Sequence, residues 1–331
     1  MINTFQSSLT AFLVDYLPRH RGMSTNTVIA YRDTFVLLLR YMRDAMDISV
    51  ENVDFDSLGK GTVEGFLGWL AVSRKSGTRT CNNRLTAIKS FYRYVQSVAP
   101  ELITQAAGVL SIRDRKVTQG LIPYLTVKAV GHILAVAENV GIRTLAMLSL
   151  LYDSGARVQE LCDLKVCDLH LKRPATVRLT GKGKKTRVVP LTPQVGSILN
   201  KYMKDADLAD GDAPFFTNNR NEAIGRAGVA YILKTCVKNA AAAHPGSLPP
   251  KVTPHQLRHS KAVHMLENGV NMVYIRDFLG HSSVVTTEMY AKASPELKRK
   301  ALEKAGSKII KKGRYSSKEK KNLLNWLKEN I

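Results

Sequence analysis

Five short segments carry residue types that can act on a charged substrate. In His255-Gln256-Leu257-Arg258, the histidine and arginine stand three apart after a proline-containing loop, so they share one face of the helix they open. Arg157 follows Gly155 in Ser154-Gly155-Ala156-Arg157-Val158-Gln159-Glu160-Leu161, where a glycine ends an apolar run and projects a guanidinium out of it. Glu160 is a natural partner to fix that guanidinium. Lys182 lies in the glycine-rich turn Gly181-Lys182-Gly183-Lys184-Lys185. His281 follows Leu279-Gly280 at a helix end, and Tyr290 closes Thr286-Thr287-Glu288-Met289-Tyr290.

Taken singly, each of these is ambiguous. His170 and Arg173 repeat the His-x-x-Arg spacing in a polar turn before Pro174, where no pocket is evident. Arg157 alone reads first as a structural ion pair. The lysine turn lacks the Gly-x4-Gly-Lys-[Ser/Thr] spacing of a nucleotide loop and leads into a strand. It suits a mobile lysine finger reaching a DNA phosphate better. Tyr290, one of 12 tyrosines, reads alone as a packing residue.

Charge narrows the partner. The 331 residues include 49 Lys+Arg against 27 Asp+Glu, a formal net charge of +22. On a chain with 44% hydrophobic residues, that excess belongs to a folded protein with a polyanionic partner. No uncharged apolar run approaches the roughly 18 residues of a membrane span, and residues 1–19 lack a signal-peptide layout. The expected location is the cytoplasm, associated with the nucleoid. Cys81, Cys162, Cys167 and Cys236 are too few and too scattered for a disulfide framework or a zinc site, and read as buried or half-buried thiols.

The elements that must position these groups are mainly helical. Phe5, Leu9, Phe12, Leu13 and Tyr16 mark a first helix. Ser24 or Thr25 caps a second with the stripe Val28, Tyr31, Phe35, Leu38, Leu39 and Met42. A third spans residues 63–71, and a fourth carries Leu85, Ile88, Phe91, Tyr92 and Val95. Arg84, Lys89 and Arg93 point outward from it and Arg74, Lys75 and Arg79 precede it, a basic face suited to a duplex backbone. Periodicity fades after Val98, and the linker is placed at residues 108–122, with Arg113, Arg115 and Lys116 in it.

Beyond it, Thr126 caps a helix, residues 142–152 form a buried one, and Val177-Arg178-Leu179 and Arg187-Val188-Val189 make an antiparallel hairpin around the lysine turn. Helices follow at residues 255–268, 272–279 and 284–291. The tail from Ser294 holds 12 Lys/Arg and 4 Glu and ends in a capping box, Ser316-Ser317-Lys318-Glu319, ahead of an amphipathic segment with Leu323, Leu324, Trp326, Leu327 and Ile331. The expected fold is mainly α with a small antiparallel sheet (α+β). The expected domains are a helical DNA-binding domain (1–107), the linker (108–122), a catalytic domain (123–293) and a basic C-terminal extension (294–331).

The ordered set Arg157, Lys182, His255, Arg258, His281 and Tyr290, each in its local context, resembles the tyrosine site-specific recombinases, or phage integrases. Asn26-Thr27 through Tyr31 and Asn83-Arg84-Leu85-x-x-Ile88-Lys89-x-Phe91-Tyr92 are similar to that family's helical core-binding domain. The resemblance covers about residues 5–295, with Xer-like and transposon-borne members nearest in layout. Val127-Lys128-Ala129 lacks the glutamate that the family favours there.

The resemblance implies that Tyr290 attacks a DNA phosphate, forms a 3′-phosphotyrosyl link and releases a 5′-hydroxyl. Arg157 and Arg258 would hydrogen-bond the non-bridging oxygens, and Lys182 would protonate the leaving oxygen. Lys184 and Lys185 share its turn, so that assignment stays open. His255 and His281 would hydrogen-bond the phosphate, with His255 able to take the Tyr290 proton. No cofactor, metal or ATP is implied. The implied partner is double-stranded DNA with specific sites, bound by a homotetramer or by a mixed tetramer with a related recombinase, through a Holliday junction. DNA contacts are expected at Arg74, Lys75, Arg79, Arg84, Lys89, Arg113, Arg115, Lys184 and Lys185. The rival readings are a type IB topoisomerase-like or telomere-resolving enzyme, and a non-catalytic basic DNA-binding protein.

Overall fold

A computed structural model describes residues 4–117, 123–209 and 211–280, with the single positions Arg299, Asn325 and Leu327; of Lys182 it describes the backbone alone. His281, Tyr290, the expected helix at 284–291 and the terminal capping box lie outside the described residues. The chain divides into two compact units, Met1–Gln119 and Gly120–Ile331.

The first unit is all helical. Helix α1 (Phe5–Ala11) begins at Thr4, whose hydroxyl accepts from the Ser7 N–H. It does not end at Pro18, as a proline in the sequence suggests, but widens into a π-helical stretch, Phe12–His20, that contains Pro18. Its last turn closes through Arg21 N–H to Tyr16 O at 3.0 Å, and the wider winding accommodates a residue that can make no i→i−4 bond. Helices α2 (Thr25–Met46), α3 (Lys60–Val72) and α4 (Thr78–Val98) follow. The stripes of α1, the π-helical stretch, α2 and α4 meet at Phe91, whose ring lies 5.3 Å from Phe12, 5.2 Å from Phe35 and 5.9 Å from Phe5, all edge to face.

Helix α5 (Ile103–Leu110) occupies the stretch where sequence periodicity fades. It is short and rich in small residues, yet Ala106, Val109 and Ile112 are buried in this unit's core. Farther on, Asn82 pairs with the Arg115 backbone in both directions, at 2.8 and 3.0 Å. The segment from residue 108, where the sequence places the linker, therefore packs on the first unit as far as Arg115.

The second unit wraps helices around a small sheet. Thr126 caps α6 (Val127–Val140) by accepting from the Ala129 N–H. Helix α7 (Ile142–Asp153) is buried on nearly every side and ends at Ser154-Gly155. After α8 (Val158–Cys162), strands β1 (Leu169–His170), β2 (Thr176–Thr180) and β3 (Thr186–Pro190) form an antiparallel sheet in that order. The two-residue β1 is too short for any periodicity to announce it. In the β2–β3 hairpin Thr180 faces Thr186 and Val177 faces Val189, which turns Val177, Leu179 and Val189 into the core.

Helices α9 (Pro193–Asp205), α10 (Arg226–Ala243), α11 (Pro254–Glu267) and α12 (Met272–Leu279) complete the unit. Thr253 and Gln256 cap α11 reciprocally, at 2.8 and 3.3 Å, with Pro254 in the first turn. This fixes the start of the helix that carries His255 and Arg258. No helix among the described residues is long and apolar enough to cross a membrane.

Candidate active site

The corner between α7 and α8 is set by Gly155, which takes φ +57°. A Cβ there would come within 2.8 Å of Leu279 Cδ2 and 3.2 Å of a Phe278 ring carbon. Only glycine gives both the left-handed turn and this close approach of α12. Two residues on, Arg157 leaves the corner with its side chain 38% exposed.

Glu160, 2% exposed, organises the cluster. Its carboxylate accepts from the Arg157 backbone N–H (2.8 Å) and Nη1 (2.7 Å), and from Arg187 Nη1 (2.9 Å) and Nη2 (2.8 Å). Arg258 Nη1 stands 4.0 Å from the same carboxylate. Burial pushes the Glu160 carboxyl up, but hydrogen bonds from Arg187 and the Arg157 backbone, with the nearby positive charge, outweigh it and hold it at about 2. Three guanidinium groups thus surround one ionised carboxylate and leave the site net positive.

The same three arginines cap the end of α12. Phe278 O accepts from Arg187 Nε (2.9 Å), Leu279 O from Arg258 Nη2 (2.6 Å), and Gly280 O from Arg157 Nη2 (3.2 Å). These are last-turn carbonyls that an α-helix leaves without backbone partners, at the negative end of its dipole. Gly280 turns left-handed at φ +64°, and His281 comes next.

Arg157 and Arg258 differ in setting. Arg258 is 1% exposed and also donates to Gly155 O at 2.6 Å, so it forms the floor of the site while Arg157 forms its open wall. His255 is exposed at the start of α11, its ring 4.3 Å from that of His259. Partial desolvation, then the charges of Arg258 and Arg157, push His255 below its ordinary value. Desolvation with His255 and Arg258 takes His259 down to about 4. Both imidazoles are therefore neutral near pH 7, and a neutral imidazole can accept a proton.

The root of the lysine hairpin joins the cluster. A Cβ on Gly181 would lie 3.0 Å from Glu160 Oε1 and 3.4 Å from Arg157 Nη1. Gly181 N–H donates to Lys185 O at 2.8 Å, and Gly183 (φ +76°) and Lys184 (φ +57°) turn the chain over. Lys184 and Lys185 are exposed, as are Arg74, Lys75, Arg79, Arg113 and Arg115.

Two of the residues expected to contact DNA have protein partners in this structure. Arg84 is not an outward cation: its Nη1 donates to Ala30 O (2.9 Å) and Thr34 Oγ1 (3.0 Å), tying α4 to α2. The Lys89 side chain is 15% exposed and pairs with Asp114 at 3.4 Å. Of the cysteines, Cys81, Cys162 and Cys236 are buried, while Cys167 is exposed. Among the described residues, no group of three or more His, Cys, Asp or Glu is placed to hold a metal.

Arg187 is the residue that sequence reasoning missed. Its signal was alternation: Val189 faces the core, so Arg187, two residues earlier on β3, faces the same way, and an inward arginine needs an acidic partner.

Residues 123–296 match the phage integrase family, and residues 10–97 match its N-terminal SAM-like domain. The protein y4rC of Sinorhizobium fredii is 32% identical over 322 residues, 96% of each chain. Tyrosine recombinase XerD of Listeria monocytogenes is 31% identical over 284 residues, 83% of this chain and 90% of the relative. Among solved structures, the Tn1549 transposon integrase in complex with transposon right end DNA matches with a TM-score of 0.68 and 19% identity, over 88% of this chain and 98% of that one. With the family matched over more than half of its length, this chain belongs to the phage integrases and is a tyrosine recombinase.

Proposed function

We propose that the protein cuts and rejoins duplex DNA at specific sites, with Tyr290 as nucleophile and a 3′-phosphotyrosyl intermediate. The observation that carries this reading is the convergence of Arg157, Arg258 and the root of the lysine hairpin at the end of α12, with His255 one helical turn before Arg258. Donors gathered there suit a phosphate whose non-bridging oxygens gain charge as a fifth oxygen attacks.

The roles divide by chemistry. Arg157 and Arg258 bind the non-bridging oxygens. Neutral His255 takes the phenolic proton from Tyr290 as its oxygen attacks phosphorus. The bond to the 5′-oxygen breaks, and Lys182 protonates that oxygen. The reverse attack by a 5′-hydroxyl restores the DNA and frees Tyr290, so the bond energy is kept throughout. Four protomers on two sites, exchanging strands through a Holliday junction, complete the reaction.

The test is a nicked suicide substrate, from which the cleaved 5′ fragment diffuses away and leaves the covalent adduct. Tyr290→Phe is expected to bind DNA as the wild type does and to form no adduct. An adduct formed by that variant rejects Tyr290 as nucleophile. Recombinant products from two-site DNA support recombination, whereas relaxed circles or hairpins alone support the topoisomerase-like or telomere-resolving activity.

A further inference from the structure

We propose that Arg187 is a positioning residue of the site, setting at once the Arg157 guanidinium, through Glu160, and the end of α12 that leads to His281. This rests on the phosphoryl-transfer reading above. Arg187 stands on β3 directly after the lysine hairpin, opposite Leu179, with its side chain 12% exposed. Its Nη1 and Nη2 hydrogens engage the two oxygens of Glu160, and its Nε hydrogen engages Phe278 O. Those bonds commit donors on all three of its nitrogens to the protein itself. Arg157, by contrast, has the more open side chain and shares the same carboxylate.

Geometry explains why arginine is needed. The two edges of one rigid guanidinium fix the distance between the carboxylate that holds Arg157 and the carbonyl that ends α12. A lysine at the same place keeps the positive charge beside Glu160 but offers one point, not a fork, and cannot hold both partners in register. The Gly280 backbone presses against the same group: a Cβ there would come within 3.1 Å of Arg187 Cδ and Nη1. The last turn of α12 is thus seated on Arg187.

The experiment uses the full chain. Arg187→Lys is expected to fold with a modestly lowered melting temperature and wild-type DNA affinity, and to lower single-turnover adduct formation by about 100-fold, the scale of a displaced reacting group. The loss is expected to persist on DNA carrying sulfur at the 5′-bridging position, because a thiolate leaves without a proton while the demand on Arg157 is unchanged. A cleavage rate equal to wild type overturns the proposal, and so does rescue by bridging sulfur.

The pair Glu160→Gln/Arg187→Gln separates positioning from charge balance, since it removes both buried charges together. A folded pair variant that still cleaves slowly supports positioning. Recovery of stability and cleavage together, or failure of both variants to fold, assigns Arg187 a purely structural role and overturns it. Tyr290→Phe run alongside keeps the two readings apart: an adduct in that variant rejects the nucleophile, whereas its absence with wild-type cleavage by Arg187→Lys rejects only the role of Arg187.

Discussion

Glu160 and Arg187 meet through a two-point ion pair, Nη1 to Oε1 at 2.9 Å and Nη2 to Oε2 at 2.8 Å, inside the second unit. A bidentate pair of this kind is stronger and more directional than a single contact. It also frees Arg157 from being the carboxylate's sole partner. Arg157 can keep its side chain more than a third exposed while its backbone N–H and its Nη1 are both held by Glu160. Reach toward a substrate and fixed orientation are otherwise in conflict for a long cationic side chain.

Glu160 makes stability depend on pH in a defined window. Its carboxyl is held at about 2, against 4.5 for an unperturbed one, so the unfolded chain binds the proton first as pH falls. The difference is worth about 3 kcal/mol, fully present above pH 4.5 and lost as pH falls through the folded value. Urea unfolding of the wild type and Glu160→Gln should show a stability gap that narrows by that amount between pH 7 and pH 2. A gap that stays constant would show that Glu160 is not held ionised.

Gly155 and Gly269 both take positive φ, +57° and +80°, but only Gly155 is crowded. Gly269→Ala should cost about 1 kcal/mol for the left-handed backbone alone. Gly155→Ala adds a Cβ within 2.8 Å of Leu279 and should cost about 2–4 kcal/mol, since α12 must move. Thermal melts of the two variants check the difference. Adduct formation should fall for Gly155→Ala and hold for Gly269→Ala, because the displaced α12 carries the carbonyls that Arg157 and Arg258 grip. Equal costs would show that α12 yields freely.

The positions of Arg157, the hairpin root, His255 and Arg258 were legible where a local signal marks each one. Glycine ends α7 before Arg157, glycines turn the lysine hairpin, and Thr253-Pro254 starts the helix of His255 and Arg258. What escaped were relationships across the fold. Arg84 falls on an outward position of α4 by periodicity, but its length lets it reach back to Ala30 on α2. Arg187 pairs with an acid 27 positions earlier, a spacing no local pattern encodes. Helix α5 hid because eight residues with two alanines and a glycine carry little periodic contrast.

The first unit's arginines should separate by task. Arg84→Ala removes two hydrogen bonds between α2 and α4 and should cost about 1–2 kcal/mol of stability, with little change in the salt dependence of DNA binding. Arg79→Ala, at an exposed position, should leave stability alone and reduce the slope of log affinity against log salt by about one. Melting curves and binding titrations from 50 to 200 mM salt, taken on both variants, check this. If Arg84→Ala flattens the slope while the fold holds, its guanidinium leaves α2 to meet DNA.

The acid is the last assignment to test, because Lys182, Lys184 and Lys185 share one turn. The hairpin root lies against Glu160 and Arg157, and Lys182 is the lysine next to that root, one residue from Gly181. Lys184 and Lys185 lie past the left-handed Gly183, with exposed side chains that suit contacts to the backbone of the duplex. Replacing an acid should slow cleavage by about 100- to 10,000-fold on ordinary DNA. It should slow cleavage far less when sulfur replaces the 5′-bridging oxygen, since a thiolate departs unprotonated. Lys182→Ala is expected to show that pattern. Lys184→Ala and Lys185→Ala are expected to change salt dependence and little else. Sulfur rescue in either of those variants, and not in Lys182→Ala, would move the acid along the turn and require the hairpin to close over the phosphate by its far side.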